Sequence, residues 1–183
     1  MVAPETAVPV LPQQLGPEFW EPLFGVIEAS APGGAPGLGV MVGIPLGSMS
    51  DGYTNSAWGL SAPMLKGRDG GFPGERFYRY SKQHLVPFGE FIPPMFRWFT
   101  DLMNIPLGDF ARGTLVQSGW DWAGQRVAPN ICYEDLFGEE LAASFRDPAA
   151  APTVMINLSN IGWFGDTIAI DQHLHISRLR ALE

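Results

Sequence analysis

Short apolar runs, each closed by glycine, proline or a polar turn, alternate along this chain with stretches of helical spacing. The runs "LGVMVGIPL" (38–46), "YTNSAWGLS" (53–61) and "PTVMINLSN" (152–160) read as strands, and "SDG" (50–52) as the turn between the first two. "RFYRY" (76–80) begins as a strand and breaks at the prolines beyond it, and two more strands flank "DWAG" (121–124). Between them, "PEFWEPLFGVIEASA" (17–31) places Phe19, Leu23, Val26 and Ile27 at helical spacing. "LFGEELAASFR" (136–146), "MFRWFTDLM" (95–103) and the closing "TIAIDQHLHISRLRALE" (167–183) also predict helices. "APGGAPG" (31–37) and "KGRDGGFPGE" (66–75) predict loops. Alternating strands and helices predict an α/β fold.

The chain has 183 residues, enough for a single domain with a sizeable core. Hydrophobic residues make up 46% and charged residues 16%, which excludes a disordered chain. A net charge of −8 without a basic stripe argues against nucleic acid as a partner. The one cysteine forbids an internal disulfide. No run approaches the roughly 18 residues of a membrane span, and the start "MVAPETAVPVLP" has no leader pattern. The last stretch, "ISRLRALE", is helical with no stop signal. The expectation is therefore one incomplete domain over 1–183, cut from a longer protein.

The junction that invites chemistry is "NICYEDLFGEE" (130–140), where a predicted strand runs through Cys132 into a predicted helix. A thiol at such a turn is exposed, and the helix N-terminus offers it amide donors and partial positive charge. The surroundings pull the other way, because Glu134, Asp135, Glu139 and Glu140 all disfavour a thiolate. A cation must stand closer if the thiol is to react.

Three histidines, His84, His173 and His175, make a Cys/His pair arithmetically possible. The "HLH" pair does not make a metal site, since positions i and i+2 of a helix point about 200° apart. The other route uses a lysine and a carboxylate. Of the two lysines, Lys66 lies in a solvated loop, whereas Lys82 lies among aromatic and apolar residues in "YSKQHLVPFGEFIP" (80–93). Glu5 is the single charge in "APETAVP" (3–9).

Taken together and in order, "APETAVP", "YSKQHLVPFGEFIP", "NICYEDLFGEE" and "NLSNIGWFGDT" resemble the carbon–nitrogen hydrolase (nitrilase) superfamily. Within it, "KQHLVPFGEFIP" and "QHLHISRLRALE" resemble the apolipoprotein N-acyltransferase branch. The resemblance runs from about residue 3 to 183 and implies a four-layer α-β-β-α sandwich, here truncated at both ends. It implies that Glu5 is the general base, Lys82 the oxyanion-stabilising cation and Cys132 the nucleophile, with Glu90, Glu134 and Tyr133 in support. Glu134 would orient Lys82, and Lys82 would lower the pKa of the thiol. Trp163 and Phe164 would lie near the acyl-binding region. The implied reaction moves a fatty acyl group from phospholipid, through a Cys132 thioester, to the N-terminal amine of a diacylglyceryl-cysteine apolipoprotein. No metal or organic cofactor is implied. The implied setting is the bacterial inner membrane, with the catalytic domain facing the periplasm and a transmembrane part that these residues do not include. Alone, the 183 residues are expected to be poorly stable and inactive.

Three alternatives stand beside this one. A soluble nitrilase-type amidase would use the same triad with water as acceptor. A papain-like thiol enzyme would need one of the histidines. A purely structural domain would carry the motifs as relics.

Overall fold

A computed structural model describes residues 1–48, 50–66, 76–92 and 110–183. The predicted helix at 95–103 and most of the predicted loop at 66–75 lie outside these residues. So do all but the first two residues of the aromatic segment Phe91–Phe99, for which lipid contact is an open expectation.

Among the described residues, two three-stranded sheets form the centre. In the first, β1 (Val40–Ser48) and β2 (Gly52–Leu60) make an antiparallel hairpin, and β3 (Tyr78–Ser81) pairs with the other edge of β2. In the second, β4 (Trp120–Trp122) and β5 (Gln125–Ile131) are antiparallel, and β6 (Val154–Leu158) lies parallel to β5. The parallel pair needs a crossover, which the chain between Cys132 and Thr153 supplies.

Side chains alternate across a strand, so each sheet sorts its residues by parity. On one face of the first sheet, Val40, Val42, Ile44, Trp58 and Leu60 pack against Trp20, Phe24 and Ile27 of helix α1 (Pro17–Ala29). On the other face, Met41, Ala57 and Tyr80 meet Trp120, Val127, Ile131 and Leu158 of the second sheet. The outward face of the second sheet carries Met155 and Asn157. It is met by α3 (Gly138–Ala142) and α4 (Ala169–Leu182), with Met155 lining a cleft beside Leu141 and Arg180 and Asn157 contacting His173. The order of layers is therefore α1, first sheet, second sheet, α3 with α4, as the α-β-β-α expectation has it. A single turn of helix, α2 (Ala62–Leu65), caps the end of β2.

One predicted helix is corrected. The stretch 136–146 is not continuous: a 3-10 turn covers Cys132–Leu136, α3 begins at Gly138, and a second 3-10 turn covers Ala143–Phe145. Phe137, at φ −98 and ψ 68, breaks the helical path between the first two. Among the described residues no helix is long and apolar enough to cross a membrane.

Candidate active site

The site assembles at the end of the sandwich where β3 and β5 run out. Lys82 follows β3 directly, and its N–H still bonds the Asn55 carbonyl of β2 at 2.8 Å. This sets the Lys82 side chain on the inner face, in register with Tyr80. Cys132 follows β5 in the same way. Its φ of +55 is unusual for a residue with a side chain, and Thr6 (φ +53) and Phe88 (φ +64) share the conformation beside Glu5 and Glu90. Such strained positions gather where the surrounding structure holds a functional geometry in place. Glu5 arrives on the segment laid along β1, where Ala3 N–H bonds the Met41 carbonyl at 2.8 Å. Gly43 makes that approach possible, because a side chain there would overlap the Pro4 carbonyl and the Cα of Glu5.

Four of the predicted residues converge. The Lys82 ammonium is 3.1 Å from Glu5 Oε1 and 2.9 Å from Glu90 Oε2, with its side chain only 1% exposed. Burial works against that charge, but Glu5 and Glu90 together outweigh it and hold the Lys82 pKa above its ordinary value. Glu5, Lys82 and the Tyr133 N–H all lie close enough to the Cys132 thiol to act on its charge. Burial, then the charge of Glu5, push the thiol up to about 12, and the nearby Lys82 only partly offsets them. Lys82 does lower the thiol's pKa, as expected, but it does not offset burial and Glu5, so at neutral pH the group is an S–H. The expected helix dipole is also largely absent, since a 3-10 turn rather than α-helix follows Cys132.

Tyr133 sits with its ring 5.5 Å from the Lys82 ammonium, and its hydroxyl donates to the Leu85 carbonyl at 2.8 Å. Glu134 is buried but does not orient Lys82 by contact. Its Oε2 accepts from Ile131 N–H at 2.7 Å and from the Tyr80 hydroxyl at 2.9 Å. Its Oε1 accepts from Gln83 N–H at 2.8 Å and His84 N–H at 3.2 Å. It therefore ties the backbone after Lys82 to the backbone before Cys132. Burial nevertheless raises its pKa, against the pull of those four donors.

Phe164 is 57% exposed on the 3-10 turn Ile161–Phe164, with Trp163 in the same turn. The turn begins at Asn160, whose N–H reaches toward Glu5 Oε2 at 3.4 Å, so the loop adjoins the site though Phe164 does not enter it. The histidines serve elsewhere: His84 stacks on Phe137 at 3.6 Å, His173 bonds Ser159 at 2.6 Å, and His175 is exposed. The charged groups that act on the thiol are Glu5 and Lys82, and the histidines are engaged elsewhere, which removes the basis of the papain-like alternative.

Two asparagines escaped the sequence reading. Asn55 donates to both Glu5 and Glu90 from the inner face of β2. Asn157 donates to the Cys132 carbonyl at 2.8 Å from β6. The signal for Asn55 was present: an amide at the inner-face parity of a strand that otherwise offers Tyr53, Ala57 and Gly59 there. Beside Asn55 and Thr6 opens a cavity of about 260 Å3, walled by Pro9, Val10, Leu11, Pro45, Tyr53 and Phe110. No charged side chain is among its described lining residues.

A strained cysteine between sheet and turn, near a glutamate that is ion-paired with a buried lysine, on paired sheets flanked by helices, defines a carbon–nitrogen hydrolase fold. A CN-hydrolase superfamily protein from Xanthomonas campestris aligns over 100% of this chain and 58% of its own, with a TM-score of 0.57 at 17% identity, a likeness of fold. No family model matches the chain. Over its full length the chain is similar to proteins named apolipoprotein N-acyltransferase. It is 60% identical to the one from Verminephrobacter eiseniae and 50% identical to the one from Ralstonia nicotianae. It spans 31% and 32% of those two proteins, about a third of their length.

Proposed function

We propose that these residues are the catalytic part of an apolipoprotein N-acyltransferase. The observation that carries the reading is the contact of Glu5, Lys82 and Cys132, brought together from three distant segments in a sequence 60% identical to a protein of that name. A fatty acyl group passes from a phospholipid ester to Cys132, and from the thioester to the α-amine of a diacylglyceryl-cysteine apolipoprotein. The uncharged cavity beside Asn55 supports an apolar donor over a small polar amide.

Each step uses groups that the fold brings together. Glu5 takes the thiol proton as Sγ attacks the ester carbonyl, so no free thiolate is needed despite a pKa of about 12. The negative oxygen of the tetrahedral intermediate forms in reach of the Lys82 ammonium, the one cation beside Cys132 among the described residues. The carbon–oxygen bond then breaks, and Glu5 returns the proton to the departing lysophospholipid. The incoming amine attacks the thioester, Glu5 accepts its proton, and the thiol is restored. Glu90, 2.9 Å from the Lys82 ammonium, keeps it aimed. Tyr133 flanks the ammonium, and Trp163 and Phe164 lie on a loop suited to meet the acyl chain. Localisation at the bacterial inner membrane, facing the periplasm, and lipid delivery by a transmembrane part belong to the same proposal.

The test uses the full natural protein in detergent with phospholipid. Intact mass should rise by one fatty acyl group, removable by hydroxylamine, and Cys132→Ala should show no adduct. Release of ammonia from small amides with no adduct would replace this reading by the amidase.

A further inference from the structure

We infer that Asn55 is a positioning residue that decides which oxygen of Glu5 receives the thiol proton. Its role in turnover rests on the acyl-transfer reading, while its effect on proton transfer does not.

Asn55 is 5% exposed on the inner face of β2. A primary amide has two N–H bonds to give. Asn55 gives one to Glu5 Oε1 at 2.7 Å and the other to Glu90 Oε1 at 2.6 Å. The Lys82 ammonium takes the same Glu5 Oε1 at 3.1 Å and Glu90 Oε2 at 2.9 Å. Glu5 Oε1 therefore holds two strong donors. Glu5 Oε2 holds only the Asn160 N–H, at 3.4 Å, among the described backbone and amide donors. A carboxylate oxygen that already accepts two hydrogen bonds is the poorer base, so Oε2 is left to the thiol.

The charges explain why a neutral donor is required. Two carboxylates face a single ammonium, so one negative charge is left uncompensated in a buried place. Without further donors the excess charge would be costly to hold in that buried place, and the two carboxylates would be pushed apart. A second lysine would neutralise the pair and weaken Glu5 as a base. An amide stabilises both ionised carboxylates without adding charge and fixes their separation through one nitrogen.

The experiment follows alkylation of Cys132 by iodoacetamide against pH in the full natural protein. In that reaction Glu5 takes the thiol proton, the sulfur–carbon bond forms and iodide leaves, so no acyl donor is involved. Asn55→Leu keeps the shape and removes both donors. The acidic limb of the rate profile should move to higher pH by about one to two units, the worth of a hydrogen bond to a buried charge. Asn55→Ser keeps one donor and should move it by less. Coincident limbs in wild type and Asn55→Leu, with matched melting midpoints, would overturn the inference. Loss of fold in both variants would overturn it too, by making Asn55 a purely structural residue. A shifted limb in a protein that forms no thioester with phospholipid would keep the inference and remove the acyl-transfer reading; a thioester with coincident limbs would do the reverse.

Discussion

At the scale of single residues, the site is governed by charge taken out of water. Lys82 is enclosed by two glutamates, and either charge alone would be costly there. Lys82→Met should abolish acyl transfer and lower stability by roughly 3–5 kcal/mol, because it strands two buried carboxylates. Urea unfolding measures the second effect, and a midpoint near wild type would show that the carboxylates are solvated. Cys132 gives a pH prediction. Its thiol lies at about 12 in the folded protein against an ordinary 9.0, so above pH 9 the unfolded chain loses a proton that the folded chain keeps. Stability must therefore fall as pH rises from 9 toward 12. Tyr78 and Tyr80, also held above their ordinary values by burial, add to the slope only above about 10. Cys132→Ala should flatten the dependence between 9 and 10, and thermal melts across that range would show whether it does.

At the scale of elements, the important unit is the 3-10 turn Cys132–Leu136 and what pins it. The sequence pattern predicts a strand-to-helix junction at Cys132, and the chain turns there, but into 3-10 geometry. Glu134 holds the turn by accepting four hydrogen bonds, three from backbone N–H groups of two separate segments. Glu134→Ala leaves those buried donors unpaired and should cost about 3 kcal/mol or more. Glu134→Gln retains an acceptor and should recover part of the loss. Chemical denaturation of both variants checks the order, and equal midpoints would mean that water replaces the carboxylate. The acid neighbourhood of Cys132 thus divides by role. Glu134 builds the turn, whereas the proposed mechanism gives the proton to Glu5, from the other end of the sequence. Nothing local in "NICYEDLFGEE" separates these roles, because they depend on which segments lie opposite.

At the scale of the molecule, the outermost helix leaves several apolar side chains in solvent. Ile168, Leu174, Leu179 and Leu182 along and before α4 are exposed, Ile168 by 70% and Leu182 by 83%, with charged and polar residues between them. Together these side chains form a row along the helix only in sequence, and each adds apolar area that association would cover. Expressed alone, residues 1–183 should self-associate with rising concentration and bind an apolar dye. Sedimentation and dye fluorescence test this, and a monomer that binds no dye would show that the row needs no cover.

The strands, the hairpin at "SDG" and the first and last helices were legible in the sequence because their signals are local. Period-two and helical spacing, with glycine and proline as stops, act within a few residues. Glu5, Lys82 and Cys132, which the structure brings together, were singled out through motifs that stand in a fixed order. Three things were decided only by the tertiary structure. The partners of Glu134 depend on β3 and β5 ending side by side. The bridge made by Asn55 depends on the strand register that lays Lys82 beside it and on the approach of Glu5 over Gly43. The protonated state of Cys132 depends on the sum of burial and opposing charges from three segments. Hydrogen bonds and desolvation between residues fifty or more positions apart exist only once the sheets are packed, so no local pattern carries them.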